Sequence, residues 1–372
     1  MPKKRDFWPL IRANYKAIRA SIAGRQQACD TQAVNRPRAI AHASLAYRSR
    51  AALIALATAA ALSPAIALAD GGAQPKPTFP GVLGRWEIAP LFMVSLVIAV
   101  WLYVAGVMRV NRQHPDSKVP RKRHVCFGIG VGALVIALIS PLGAYDDTLF
   151  SLHMVQHLMI MDIAAPFLLL AAPLTLLLRA STPSFRKRVV LPIMHSRVVR
   201  AISFPVVTWF VYAAVLWGSH YSGLYEESLV NNWVHNGEHF IYLFAAMLFW
   251  WQAIGIDPAP WRIPHPVRVV YVFLFMPQMA WLGLAFYGSD HVFYAHYANL
   301  ARTWGPSPLL DQQAAGAVMW LIGDTLSGCW VTYMIYRWVK HEEVATRRRD
   351  RELDRERAQR AAAAAPPTLP GA

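Results

Sequence analysis

Charge is scarce in this sequence. Only 16% of its 372 residues are Asp, Glu, Lys or Arg, against about 25% in soluble globular domains. Acids are scarcer than bases, 21 against 37. Cysteine occurs three times, at Cys29, Cys126 and Cys329, and never as CxxC. That spacing supports neither a disulfide framework nor a paired-thiol metal shuttle. A GxSxG elbow, a P-loop and a dinucleotide fingerprint in strand context are all missing, so the common hydrolase, NTPase and dehydrogenase signatures are not available. No internal repeat and no second domain stand out.

What is abundant is apolar sequence, 55% of the chain. A bilayer core about 30 Å thick needs about 20 mainly apolar residues per helix. Runs of that size recur at 88–108, 125–142, 151–178, 201–219, 240–256, 267–287 and 313–336. The expectation is an all-α, polytopic membrane helix bundle with seven transmembrane helices. The net charge of +16 would suggest nucleic acid on a soluble surface, but the bases are not spread that way. Arg109, Arg112 and Lys118–Arg123 fill the first loop, Arg179–Arg200 the third, Arg262 and Arg268 the fifth, and Arg337–Arg349 follow the last run. The intervening loops hold Asp146, Asp147, Glu226, Glu227 and Asp290, with Arg302 as the exception. This is the positive-inside pattern. It predicts a multi-pass plasma-membrane protein with a cytoplasmic C-terminus, partnered by lipid and not by nucleic acid.

The ends differ from this core. Residues 1–50 form a basic extension. Residues 51–69, AALIALATAAALSPAIALA, end in A-x-A before Asp70 and read as a signal-like or anchor segment. A Gly/Pro-rich linker covers 70–85, the membrane domain 86–340, and a charged cytoplasmic tail 341–372.

Within that topology the histidines are not scattered. His153 and His157 lie four apart in HMVQH, and His235 and His239 repeat the spacing in HNGEH. Side chains at i and i+4 share a helix face about 5–6 Å apart, and both pairs enter the membrane from the outer side. Interfacial histidines often do no more than hydrogen-bond a neighbouring helix. Two matched pairs at one level, however, would surround a metal ion if their helices touch, since neutral imidazole is the commonest metal ligand. HNGEH also carries the letters of an inverted zinc-peptidase motif. Gly237 interrupts it, and Gln156 stands in HMVQH where a second such acid would sit. Methionine leans the metal towards copper, with Met154 as the auxiliary ligand. Asp162 and Asp324 lie within spans, where a carboxylate is costly and a functional candidate by default. Gln278 beside Pro277 adds a polar group at similar depth.

Several segments together resemble a known family: LFSLHMVQHLM, AAPLTLLLRA, WVHNGEHFIYLFAAMLFWW, YVFLFMPQMAWLGLAF and GPSPLLDQQAAGAVMWLIGD. They are similar to the CtaG family of cytochrome c oxidase assembly factors, from about Trp86 to Arg337. The resemblance implies a non-enzymatic seven-span protein of the bacterial plasma membrane that matures a haem–copper oxidase by supplying copper, with oxidase subunits as partners. Matching positions are His153, His157, His235, His239 and, in SPLLDQQ, Asp311; Asp162 is a departure. The expected ligand set is therefore the four histidines with Met154, and Asp162, Asp311, Asp324 and Gln278 are second-shell or relay groups. Two alternatives stay open: a membrane haem protein using one histidine from each pair as axial ligands, and a copper permease using Asp162, Gln278 and Asp324 as a path.

Overall fold

The computed structural model describes residues 73–87 and 89–364. The basic extension, the signal-like segment and the last residues of the tail lie outside that range. Seven long helices coincide with the seven apolar runs: α1 (Pro90–Gln113), α2 (Arg121–Ala144), α3 (Phe150–Ala180), α4 (Pro205–Tyr221), α5 (Asn232–Ile254), α6 (His265–Tyr287) and α7 (Pro308–Ala361). No strand occurs among the described residues. Five of the seven (α1, α2, α3, α6 and α7) are long and apolar enough to cross a bilayer. Helix α4 has 17 residues, about 26 Å at 1.5 Å per residue. Helix α5 begins with Asn232, His235, Asn236, Glu238 and His239, which dilute its apolar character.

Large apolar side chains face outward in number, while several polar ones are kept inside. Val97, Trp101, Phe210, Phe244, Trp281 and Leu321 are exposed, whereas His153, Gln156, Asp162, Glu238, Gln252 and Asp311 are buried. An apolar exterior, with polar and ionisable groups kept inside among the core side chains, suits lipid outside and protein inside. Helix α3 is the hub, packing on α1, α2, α5 and α7. Of its apolar stretch 56% is buried, against 11% for α1.

Two distant carboxylates clamp α3. At its start, the Phe150 N–H donates to Asp311 Oδ2 at 2.8 Å and Ser151 Oγ donates to Asp311 Oδ1 at 2.6 Å. Its last segment begins at Pro173 after Ala172, which takes φ 56°, and there Leu174 N and Thr175 N donate to Asp257 at 3.0 and 2.8 Å. Each acid satisfies amides that a helix start leaves unpaired. Midway, Met159–Ala164 is a π-turn just before Pro166. Proline has no N–H to give back to the preceding turn, and a π-turn leaves carbonyls short of partners as well. Two indoles reach in: Trp250 Nε1 donates to Met161 O at 2.9 Å, and Trp330 Nε1 to Asp162 O at 2.8 Å.

Arg302, the exception to the charge pattern, is a buried structural residue. Its Nη1 donates to Thr148 O at 3.3 Å and lies 4.0 Å from Asp311 Oδ2. The linker is also held over this end of the bundle. Gln74 N donates to Thr148 Oγ1 at 3.2 Å, and Trp304 Nε1 to Gln74 O at 2.7 Å.

Candidate metal centre

The spacing of four puts His153 and His157 on one face of α3. Helix α5 starts where Asn231 caps it, accepting from Trp233 N and Val234 N, so His235 and His239 occupy its first turns. Because α3 and α5 pack together, the two pairs meet. Ring centroids lie 4.3 Å apart for His153–His157 and 4.4 Å for His235–His239. Across the helices they lie 5.4 Å apart for His153–His235 and 5.5 Å for His157–His239.

The ring nitrogens show what the arrangement offers. His153 Nε2 and His157 Nε2 are 2.9 Å apart and share a hydrogen bond. With metal–nitrogen bonds of about 2.0 Å, two nitrogens at that separation subtend about 90° at an ion, so a small opening of the pair reaches a tetrahedral angle. The Nδ1 atoms of both rings are buried without a partner, an arrangement that natural interiors rarely leave in place. Ligand atoms of His153, His157 and His239 all lie within 4.8 Å of one another, and so do those of Asp146, His153 and His235. The aromatic wall is close. Tyr225 stands 4.9 Å from His153, Tyr242 4.3 Å from His157, and Phe92 5.8 Å from His239, measured between ring centroids.

Asp146, Gln156 and His220 were not assigned to the site from sequence. Gln156 Nε2 donates to Ala137 O at 2.9 Å, while its Oε1 accepts from His239 Nε2 at 3.0 Å. One amide thus ties α2, α3 and α5 together and fixes the His239 ring. His220, from α4, sits behind the layer with its Nδ1 2.7 Å from Leu216 O and its ring 5.6 Å from that of Tyr225. Asp146 stands in the short loop before α3, its Oδ2 3.6 Å from His235 Nε2. An acid in an arginine-free turn just ahead of HMVQH was the available signal.

The remaining expected residues fall elsewhere. Asp311 holds the start of α3, as described, and acts on the histidines through the helix. Met154 is packed in the apolar core with Phe150 and Met161. Asp162 has Asp324 of α7 as its charged neighbour, and Gln278 Oε1 accepts from Trp217 Nε1 at 3.0 Å. Asp162, Asp311 and Asp324 belong to neither group of possible metal ligands.

Beside the layer, a cavity of about 420 Å³ opens to the loop end, lined by Arg85, Glu87, Asp146, Asp147, His235 and His296 among others. Burial, reinforced by Asp147, raises the Glu87 carboxyl from the usual 4.5 to about 7. Burial, then Glu87 and Asp147, pushes the Asp146 carboxyl well above its ordinary value. Both effects follow from placing carboxylates together in a low-dielectric recess.

Comparison with known proteins gives this geometry a context. "Uncharacterized protein Mb0105" of Mycobacterium bovis is 27% identical over 285 residues, covering 75% of this chain and 43% of that protein. "Uncharacterized protein ML1998" of Mycobacterium leprae is 27% identical over 276 residues, covering 72% and 42%. The chain thus spans about two fifths of the length of the curated relatives it matches. No solved structure matches it. Residues 101–341, which hold α2 to α6, all four histidines and Asp311, match the family described as cytochrome c oxidase caa3 assembly factor. With nearly two thirds of its length inside that match, the chain belongs to the Caa3_CtaG family of cytochrome c oxidase assembly factors.

Proposed function

We propose that this protein holds a copper ion in the imidazole layer of α3 and α5 and delivers it to a subunit of a haem–copper oxidase during assembly, without catalytic turnover of its own. The protein would span the bacterial plasma membrane seven times, with the arginine-rich loops and the 341–372 tail in the cytoplasm and the histidines towards the outer face. The membrane domain would cover 86–340, preceded by the 70–85 linker. Seven spans require α4 and α5 to cross as well, which their position between α3 and α6, both long and apolar enough to cross, favours.

One observation carries the reading: two i, i+4 histidine pairs, 78 to 86 residues apart in sequence, converge with buried ring nitrogens that have no partner. The imidazole and carboxylate donors of the layer suit copper and zinc alike, and copper is favoured by the family's association with an oxidase. It is favoured over haem by packing. Two axial imidazoles, one from each pair, must face each other across a macrocycle, whereas the rings of His153 and His235 lie 5.4 Å apart and those of His157 and His239 5.5 Å, with Tyr225 and Tyr242 packed against the α3 rings.

The test is a Cu(I) titration of detergent-purified protein against a soluble chelator. One tightly held equivalent is expected, lost when His153, His157, His235 and His239 are all replaced by alanine. Binding equal in both proteins refutes the assignment. A Soret band after haem-replete expression, or tighter Zn(II) than Cu(I) binding, would redirect it.

A further inference from the structure

The imidazole layer contains two overlapping ligand triads rather than one. The first is His153, His157 and His239, all buried; the second is Asp146, His153 and His235, of which Asp146 and His235 line the cavity. They share His153. We propose that Asp146, His235 and His153 form a second, outer metal position, through which a copper ion enters and leaves the deeper three-histidine position. This rests on the copper reading above and adds a route to it.

Three independent observations point to the outer position. Asp146 is 2% exposed, and its Oδ2 has no hydrogen-bond partner. His235 Nε2 likewise has no hydrogen-bond partner and lies 3.6 Å from that oxygen, within ion-pair range, so two buried ligand atoms face each other. Exposure also grades outward: the His235 side chain is 14% exposed, whereas His153 as a residue is fully buried. Finally, the cavity that reaches Asp146 and His235 does not reach His157 or His239. An ion arriving through it meets the outer triad first.

The chemistry of the two triads differs in the sense that passage requires. A carboxylate offsets the charge of a cation as it sheds water, which matters most where the ion first leaves solvent. It is also a harder ligand than imidazole, and so holds Cu(I) less tightly. Three neutral imidazoles behind an aromatic wall hold the same ion better. Movement inward then exchanges Asp146 and His235 for His157 and His239 while His153 remains bound. The ion is never bare and keeps its oxidation state. Because His153 is shared, the two positions cannot be filled together, and the protein carries one ion, not two.

Asp146→Asn separates this route from mere retention. In the full-length protein in detergent, the variant is expected to slow both loading from and release to a soluble Cu(I) chelator by about tenfold or more, with a smaller loss of Cu(I) affinity than His157→Ala gives. Asp146→Glu, which keeps the carboxylate, should restore the rates. The paired change His157→Ala and His239→Ala should leave a weaker single site whose X-ray absorption shows a mixed nitrogen–oxygen shell, and adding Asp146→Asn should abolish it. If Asp146→Asn fails to fold, His235→Gln reads the same exchange and should slow it comparably. Wild-type exchange rates in these variants would overturn the outer position while leaving the deep site standing. Absence of Cu(I) binding by the wild-type chain would overturn both.

Discussion

Histidines meet in pairs at both ends of α5, and only one end looks fit for a cation. Beyond the end of α5 at Ile254, His265 of α6 and His341 of α7 bring their ring centroids to 4.8 Å. That is closer than His153 is to His235. The surroundings differ in every other respect. His341 is exposed, and Arg268 and Arg337 line the same small recess as His265. Arg268 Nη1 donates to Ile254 O at 3.2 Å, taking up the carbonyl oxygen there. Guanidinium groups cannot be deprotonated in proteins, so a cation would enter against standing positive charge. At the start of α5 the carboxyl nearest the imidazoles is that of Asp146, and the imidazoles are walled by tyrosine and phenylalanine. Ring proximity is therefore the less informative property, and the sign of the neighbouring charge the more informative one.

The sharpest way to break that contrast is to truncate rings at each end. His157→Ala removes a ligand from the deep triad and should weaken Cu(I) binding by about a hundredfold. His265→Ala and His341→Ala should leave it unchanged. Equal losses at both ends, read by chelator competition, would mean that the charge argument is wrong. A second test acts at a distance. Asp311 accepts from Phe150 N and Ser151 Oγ and lies beside buried Arg302. Asp311→Ala strips the first turn of α3 of its cap and leaves a buried guanidinium without its carboxylate, so a stability loss of about 2–4 kcal/mol is expected. Asp311→Asn should lose less. Thermal unfolding in detergent measures it, and no such loss is expected from alanine at exposed Asp290, which faces only His291.

How much of this was legible in the sequence divides along the same line. The seven apolar runs located the long helices, and the i, i+4 spacing placed each histidine pair on a face, because both are local consequences of helix geometry. The meeting of α3 and α5 was an assumption that the packing supports. Asp146 escaped because its relation to His235 spans two loops and two helices; nothing local marks a carboxylate that stands 3.6 Å from an imidazole 89 residues later. Asp311 was singled out by family resemblance, but its capping of a helix 161 residues away belongs to the fold. Arg302 looked anomalous only while its burial was unknown. Met154, chosen for its sulfur and its nearness in sequence, packs in the core beside Phe150 and Met161.

Gln156 offers a finer probe of the imidazole layer. Its amide orients His239 and spans to Ala137 O, and partners of this kind typically tune metal affinity by about tenfold to a hundredfold. Gln156→Leu should lower Cu(I) affinity towards the smaller of these values, since the ring stays present but loses its tether. Gln156→Glu, which can still accept from the ring, should retain more. A Leu variant that binds as wild type would mean that packing against Phe92, not the amide, holds His239.

The smallest expected effect concerns the acidic side of the comparison without any metal. Glu87 has its carboxyl raised from 4.5 to about 7 by burial and by Asp147. Below pH 4.5 the residue is protonated in folded and unfolded chains alike and its titration contributes nothing. As pH rises towards 7 the unfolded chain ionises freely while the folded one resists, so the unfolded state binds fewer protons and stability falls. Above the folded value the full penalty is present. Glu87→Gln cannot ionise and should escape it. In metal-free protein the variant is therefore expected to gain on wild type between pH 5 and pH 8, by about 1–2 kcal/mol once solvent screening is allowed for. The opposite end of the bundle supplies the control. Glu343 faces Lys340 Nζ at 2.9 Å and is held below its usual value, so Glu343→Gln should show no such gain as pH rises. Parallel pH profiles for the two variants would show that the recess beside the histidines is wet enough to screen its carboxylates, and the contrast between the two ends of the bundle would then be one of composition alone.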